Sequence, residues 1–175
     1  MNRLVSFCIL FLVTALAAGC SGGSNAVAKL NKTQAAGSPF TAALTDEYRA
    51  LANGMKMGPI AGSNSIHFAR KGLATAEGII VMPEMPDNWN LNEKEVAETA
   101  SARAELMTLL EKGARSMAPK RAAATQARFD CWAARQQSSW SKTDSSCKDQ
   151  FNVLLQSLKK DMTAIAAPPP PAPPV

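Results

Sequence analysis

Between residues 39 and 166, apolar side chains recur at helical spacing in five stretches separated by Gly, Pro, Asn and Ser. The first opens at Ser38-Pro39, a side-chain N-cap followed by a proline at the first helical position. Phe40, Leu44, Tyr48, Leu51 and Met55 then form one stripe, closed by Gly58-Pro59 and Gly62. A second helix is expected from Ser63 or Asn64, with Ile66, Ala69, Leu73 and Ala76 on one face and Gly78 as its stop. The third is expected from Asn90 or Asn92, with Glu93 and Glu95 in its first turn, where carboxylates suit the helix dipole. Val96, Ala100, Arg103, Leu106, Leu110 and Ala114 mark its course toward Pro119. A fourth starts at Pro119 and carries an Ala-rich face to Phe129, Cys131 and Trp132. The fifth, from Ser145 or Ser146, has the cleanest stripe: Phe151, Leu154, Leu155, Leu158, Met162 and Ile165.

Three stretches break this pattern. In Ile79 to Asn90, Pro83 and Pro86 exclude regular helix and Ile79-Ile80-Val81 reads as extended. It is expected to be a loop packed over the helices with Trp89 as its apolar anchor; a ligand-binding loop is the alternative. Residues 20–38, rich in Ser, Gly, Asn, Lys and Ala, read as a flexible tether. Residues 167–175 are nearly all proline and read as an extended polyproline tail. The fold class is therefore all-α: a small bundle of about five helices over residues 39–166.

Composition agrees with this reading. Alanine is abundant, and aromatic residues are only 6% of the chain, a mix that favours helix over sheet. The formal charge of +5 includes Arg3 in the N-terminal leader. The other basic residues alternate with Glu and Asp, as on solvated helix faces. An exported chain with no patch of interleaved basic and aromatic residues is not expected to bind nucleic acid.

The N-terminus carries its own signal. Met1-Asn2-Arg3 is basic, Leu4 to Leu16 is almost wholly apolar, and Ala17-Ala18-Gly19 are small. This is the layout of a secretory signal peptide over residues 1–19. The apolar run is shorter than the roughly 20 residues that span a bilayer. The string Leu16-Ala17-Ala18-Gly19-Cys20 resembles the lipobox of bacterial lipoproteins. That resemblance implies a thioether-linked diacylglycerol on Cys20 and cleavage just before it. Ser21, where Asp would retain such a protein in the inner membrane, implies the outer membrane.

Of the four cysteines, Cys8 lies in the leader and Cys20 follows it directly. Cys131 and Cys147 remain, near the end of the fourth helix and the start of the fifth. In an oxidising compartment such a pair should form a disulfide; two free thiols or a metal site are the alternatives. A metal site would need further ligands, and the only histidine, His67, has no ligand spacing around it. Neither a metal nor a cofactor is expected.

A wider resemblance rests on Phe68-Ala69-Arg70-Lys71, Met82-Pro83-Glu84, Trp89-Asn90-Leu91, Ala102-Arg103, Gly113-Ala114-Arg115 and above all Ala127-Arg128-Phe129-Asp130-Cys131-Trp132 with Cys147 and Phe151. These segments resemble the N-terminal helical region of lipoproteins of the bacterial outer membrane protein A family. There, a lipobox, a helical region and a Pro-rich linker precede a peptidoglycan-binding domain. The resemblance implies an envelope location, a helical fold and paired cysteines. The Asp and Arg with which that family grips peptidoglycan have no counterpart here, so direct peptidoglycan binding is not expected.

No nucleophile elbow, phosphate loop or metal spacing is present, so catalysis is not expected. The expected role is structural or adaptor: an outer-membrane lipoprotein, anchored through Cys20 on the periplasmic face, that meets another envelope protein. Trp89, Trp132 and Trp140 are the candidate contact residues. The alternatives are a small-ligand or lipid-binding module using Trp89, Met82 and Met85, or a truncated remnant of a peptidoglycan-associated lipoprotein.

Overall fold

The computed structural model describes residues 22–55, 61–137 and 145–166. Six helices account for most of them: α1 (Gly22–Lys32), α2 (Pro39–Gly54), α3 (Ala61–Ala76), α4 (Glu93–Leu109), α5 (Pro119–Gln136) and α6 (Ser146–Ala166). No strand occurs among the described residues, and the fold is a small helical bundle. The signal peptide, Cys20, the Gly58-Pro59 stop, Trp140 and the polyproline stretch all fall outside the described residues.

The five expected helices form, with local causes that the sequence carries. Ser38 caps α2, its hydroxyl accepting the Thr41 N–H at 3.2 Å with Pro39 at the first turn. Asn92 and Glu95 form a reciprocal capping box at the start of α4. Gly78, at φ 87°, ends α3 in the left-handed region that favours glycine. The apolar stripe of α2 is buried at Phe40, Leu44, Tyr48 and Leu51, and that of α6 at Phe151, Leu155 and Leu158.

Two expectations are corrected. The stretch read as a flexible tether contains α1, whose Leu30 is fully buried and whose Ala26 joins the same core. The reason is a close fit. A Cβ added at Gly72 of α3 would lie 2.6 Å from Leu30 Cδ2, so the missing side chain makes the socket for Leu30. Burying one leucine contributes roughly 1.5–3 kcal/mol, and the hydrogen bonds from Arg49 to the Leu30 and Thr33 carbonyls add to it. The α4 stripe also differs. Ala100 is exposed, and the buried positions are Thr99, Leu106, Leu110 and Ala114. A π-helical turn at Leu110–Ala114, with Gly113 at φ 99°, resets the facing before a last helical turn at Arg115–Met117.

Contacts fix the directions. Ser65 bonds Ala52 and Thr45 bonds Thr75, so α2 and α3 are antiparallel. Leu30 sits at Gly72, and the Ala36 N–H reaches Ala76, so α1 runs with α3. The Cys131–Cys147 disulfide and the Arg121–Asp161 pair make α5 and α6 antiparallel. Glu98–Lys148 and Glu105–Lys159 place α4 alongside α6 in the same sense. Tyr48 meets Asp130, and Arg115 lies over the Phe40 ring, so α2 and α5 run together. Thus α1, α3, α4 and α6 start at the end of the bundle where α2 and α5 finish.

The disulfide forms as expected, with Cα atoms 5.8 Å apart. Cys131 stands one and a half turns before the end of α5, and Cys147 is the second residue of α6. Both are buried beside a cluster in which Phe129 meets Trp132 edge-on and Phe151 tilts against both rings.

Candidate functional site

Three helices and the loop after α3 converge on a buried group of charges. Lys71 of α3 directs its ammonium at Glu84 Oε1 (2.6 Å), Asp130 Oδ2 (2.8 Å) and the Met82 carbonyl (3.1 Å). Asp130 of α5 is fully buried. Its Oδ2 also accepts from Tyr48 Oη of α2 at 2.6 Å, and its Oδ1 accepts the Glu84 backbone N–H at 2.8 Å. Glu84 Oε1 is shared with His67 Nε2 at 2.8 Å, and Oε2 accepts from Trp89 Nε1 at 3.2 Å. Gln126 donates to Tyr48 Oη and to the Val81 carbonyl.

The electrostatics follow from burial and pairing. Burial works against both the Lys71 ammonium and the Glu84 carboxylate, but their partners outweigh it. Asp130 and Glu84 hold the Lys71 pKa above its ordinary value. His67 and Lys71 hold the Glu84 carboxyl down at about 2. Complete burial, with Glu84 nearby, pushes Asp130 up despite the pull of Lys71. Burial and the Asp130 charge push the Tyr48 phenol well above its ordinary value, so it stays protonated as a donor.

Every carboxylate oxygen in this group already accepts a hydrogen bond, and Lys71 spends all three donors. The arrangement suits a brace. It clamps the loop at Val81, Met82 and Glu84, and Arg103 Nε adds a bond to the Pro83 carbonyl. The loop thus packs over the helices, as its prolines suggested, with Pro83, Glu84 and Pro86 buried and Ile79 and Ile80 exposed.

Beside the brace lies an open cleft of about 520 Å³, lined among others by Asn64, Ile66, His67, Arg70 and Trp89. His67 is 43% exposed there and meets the Trp89 ring edge-on. The exposed Arg70 guanidinium has no ion pair or hydrogen bond among the described residues. Met82 and Met85, grouped with Trp89 from the sequence, are exposed and do not line the cleft.

The three tryptophans separate. Trp89 is half-buried at the cleft. Trp132 is only 5% exposed and belongs to the core, with the Lys148 ammonium 5.3 Å above its ring. It is not a contact surface, because Phe129, Phe151 and Lys148 bury it. Trp140 lies outside the described residues. Among the described residues, no group of three or more His, Cys, Asp or Glu could hold a metal ion.

Sequence reasoning missed the Lys71–Glu84–Asp130 centre. The available signals were local: His67 and Lys71 share one face of α3, and Asp130 sits in a run of otherwise buried positions.

The chain matches no protein-family model, no curated protein and no solved structure.

Proposed function

We propose that this protein is an outer-membrane lipoprotein, anchored through Cys20, whose helical domain serves the cell envelope as a non-catalytic structural or adaptor element on the periplasmic face. The observation that carries this reading is the Cys131–Cys147 disulfide in the bundle. Such bonds persist in oxidising compartments and are rare in a reducing cytosol. The leader that runs up to Cys20 points the same way, as does the resemblance of the Phe129-Asp130-Cys131-Trp132 string to outer membrane protein A family lipoproteins. The saturated charge cluster also favours a static role, because its groups are occupied in holding a loop. Cross-linking in intact envelopes followed by affinity capture tests the adaptor role. Recovery of one stoichiometric envelope protein supports it; recovery of only abundant background proteins contradicts it.

A second reading has its own observation. The cleft beside Trp89 joins an indole wall to the Arg70 guanidinium, which is unpaired among the described residues, a combination suited to a small anionic ligand with an apolar part. NMR titration with such compounds would shift the Trp89 indole and His67 resonances, and Arg70→Ala would abolish the shift.

A further inference from the structure

We propose that the end of the bundle where α1 begins is held directly against the bilayer, with no spacer between lipid and folded domain. The inference rests on the reading of Cys20 as the lipid-bearing residue. Only Ser21 separates Cys20 from Gly22, the first residue of α1. At about 3.5 Å per residue, the two Cα atoms can be no more than about 7 Å apart. A flexible tether over residues 20–38 would instead give a root-mean-square reach of about 24 Å, at 5–6 Å times the square root of its length.

Helix α1 cannot act as that tether, because it is built into the domain. Leu30 fills the socket over Gly72, and Arg49 donates to the Leu30 and Thr33 carbonyls. Asn31 and Asn53 exchange side-chain hydrogen bonds. Helix α1 runs parallel to α3, so its first residue lies at the end shared by the starts of α3, α4 and α6. The opposite end carries Met117 and Ile165, both exposed. The 21 residues of α6 span about 31 Å between the two ends. A link of about 7 Å cannot bring the far end to the lipid unless the bundle lies flat. The bilayer therefore faces the near end, and Met117 and Ile165 point away from it.

The test uses the full lipoprotein in phosphatidylethanolamine–phosphatidylglycerol vesicles containing a lipid with a nitroxide on its headgroup. Lys94→Cys, at the start of α4, and Lys120→Cys, at the start of α5, each carry an environment-insensitive fluorophore. Both positions are exposed, and the native disulfide protects Cys131 and Cys147 from labelling. Quenching several-fold stronger at 94 than at 120 is expected. Twelve Gly/Ser residues inserted between Ser21 and Gly22 should remove most of that difference. Equal quenching in the parent protein overturns the proposal, as does a difference that survives the insertion. The intact mass of the same sample separates the two levels. An acylated protein with equal quenching defeats only the orientation, whereas an unacylated Cys20 defeats the anchoring as well.

Discussion

The backbone N–H of Glu84 donates to Oδ1 of Asp130 at 2.8 Å, joining two acidic residues that lie 46 positions apart. Two carboxylates this close would repel unless a cation stood between them, and Lys71 does, bonding both. The loop after α3 thereby becomes part of the bundle. Its position depends on one buried ammonium and two buried carboxylates.

Removing one member of that set should therefore cost far more than a surface ion pair. Asp130→Ala leaves the Tyr48 hydroxyl and the Glu84 N–H without their buried acceptor and the Lys71 ammonium with one carboxylate instead of two. Breaking a buried pair from one side costs about 3–5 kcal/mol, while exposed pairs such as Arg49–Asp46 are worth about 0–1 kcal/mol. Urea denaturation of Asp130→Ala and Asp46→Ala should show this contrast. Equal midpoints would contradict the brace.

The acid limb of stability should carry the signature of Glu84. Its carboxyl lies at about 2 in the fold, against an ordinary 4.5. Between these values the unfolded chain takes up a proton that the folded chain refuses. The contribution is therefore complete above about pH 4.5 and is lost as pH falls toward 2. Asp130, pushed upward, contributes with the opposite sign, so the comparison must be between variants. The stability gap between the native protein and Glu84→Gln should shrink steadily on acidification through that window. A gap independent of pH would contradict the assignment.

Helix α1 is predicted to belong to the cooperative fold. Leu30→Ala should lower stability by about 2–5 kcal/mol, and Gly72→Ala should disturb the same contact from the other side. A flexible tether would tolerate either change, so unchanged denaturation curves would contradict the docking of α1.

The disulfide closes a short connection between α5 and α6. In the chain-entropy model a loop of this size contributes about 3 kcal/mol. Cys131→Ser combined with Cys147→Ser should show a loss of that order in denaturant, and added reductant should reproduce it in the native protein. Unchanged melting under both conditions would argue against a structural bond.

Most of the helical frame was legible because it follows local rules. The stripe Phe40, Leu44, Tyr48 and Leu51 follows a 3.6-residue period, and Ser38-Pro39 and Asn92-Glu95 announce helix starts. What escaped was set by distant partners. Helix α1 is short, with Leu30 its one large buried residue, and Leu30 sits in a hole left by Gly72, a match that no local window contains. On α4 the buried positions Thr99, Leu106 and Leu110 follow at spacings of seven and four, so the polar Thr99 rather than the apolar Ala100 points inward. Trp132 reads as a contact residue in the sequence because an aromatic beside a cysteine is ambiguous until Phe129 and Phe151 are known to surround it. The charge centre was least visible, since Lys71, Glu84 and Asp130 each resemble an ordinary surface charge until three elements meet.

The central claim is that this helical domain works while fixed to a membrane through Cys20. Mass spectrometry of the protein extracted from envelopes tests it most directly. The account predicts a chain beginning at Cys20, carrying a diacylglyceryl group, with the masses of Cys131 and Cys147 each reduced by one hydrogen. A chain with an unmodified Cys20, recovered in the soluble fraction, would contradict it.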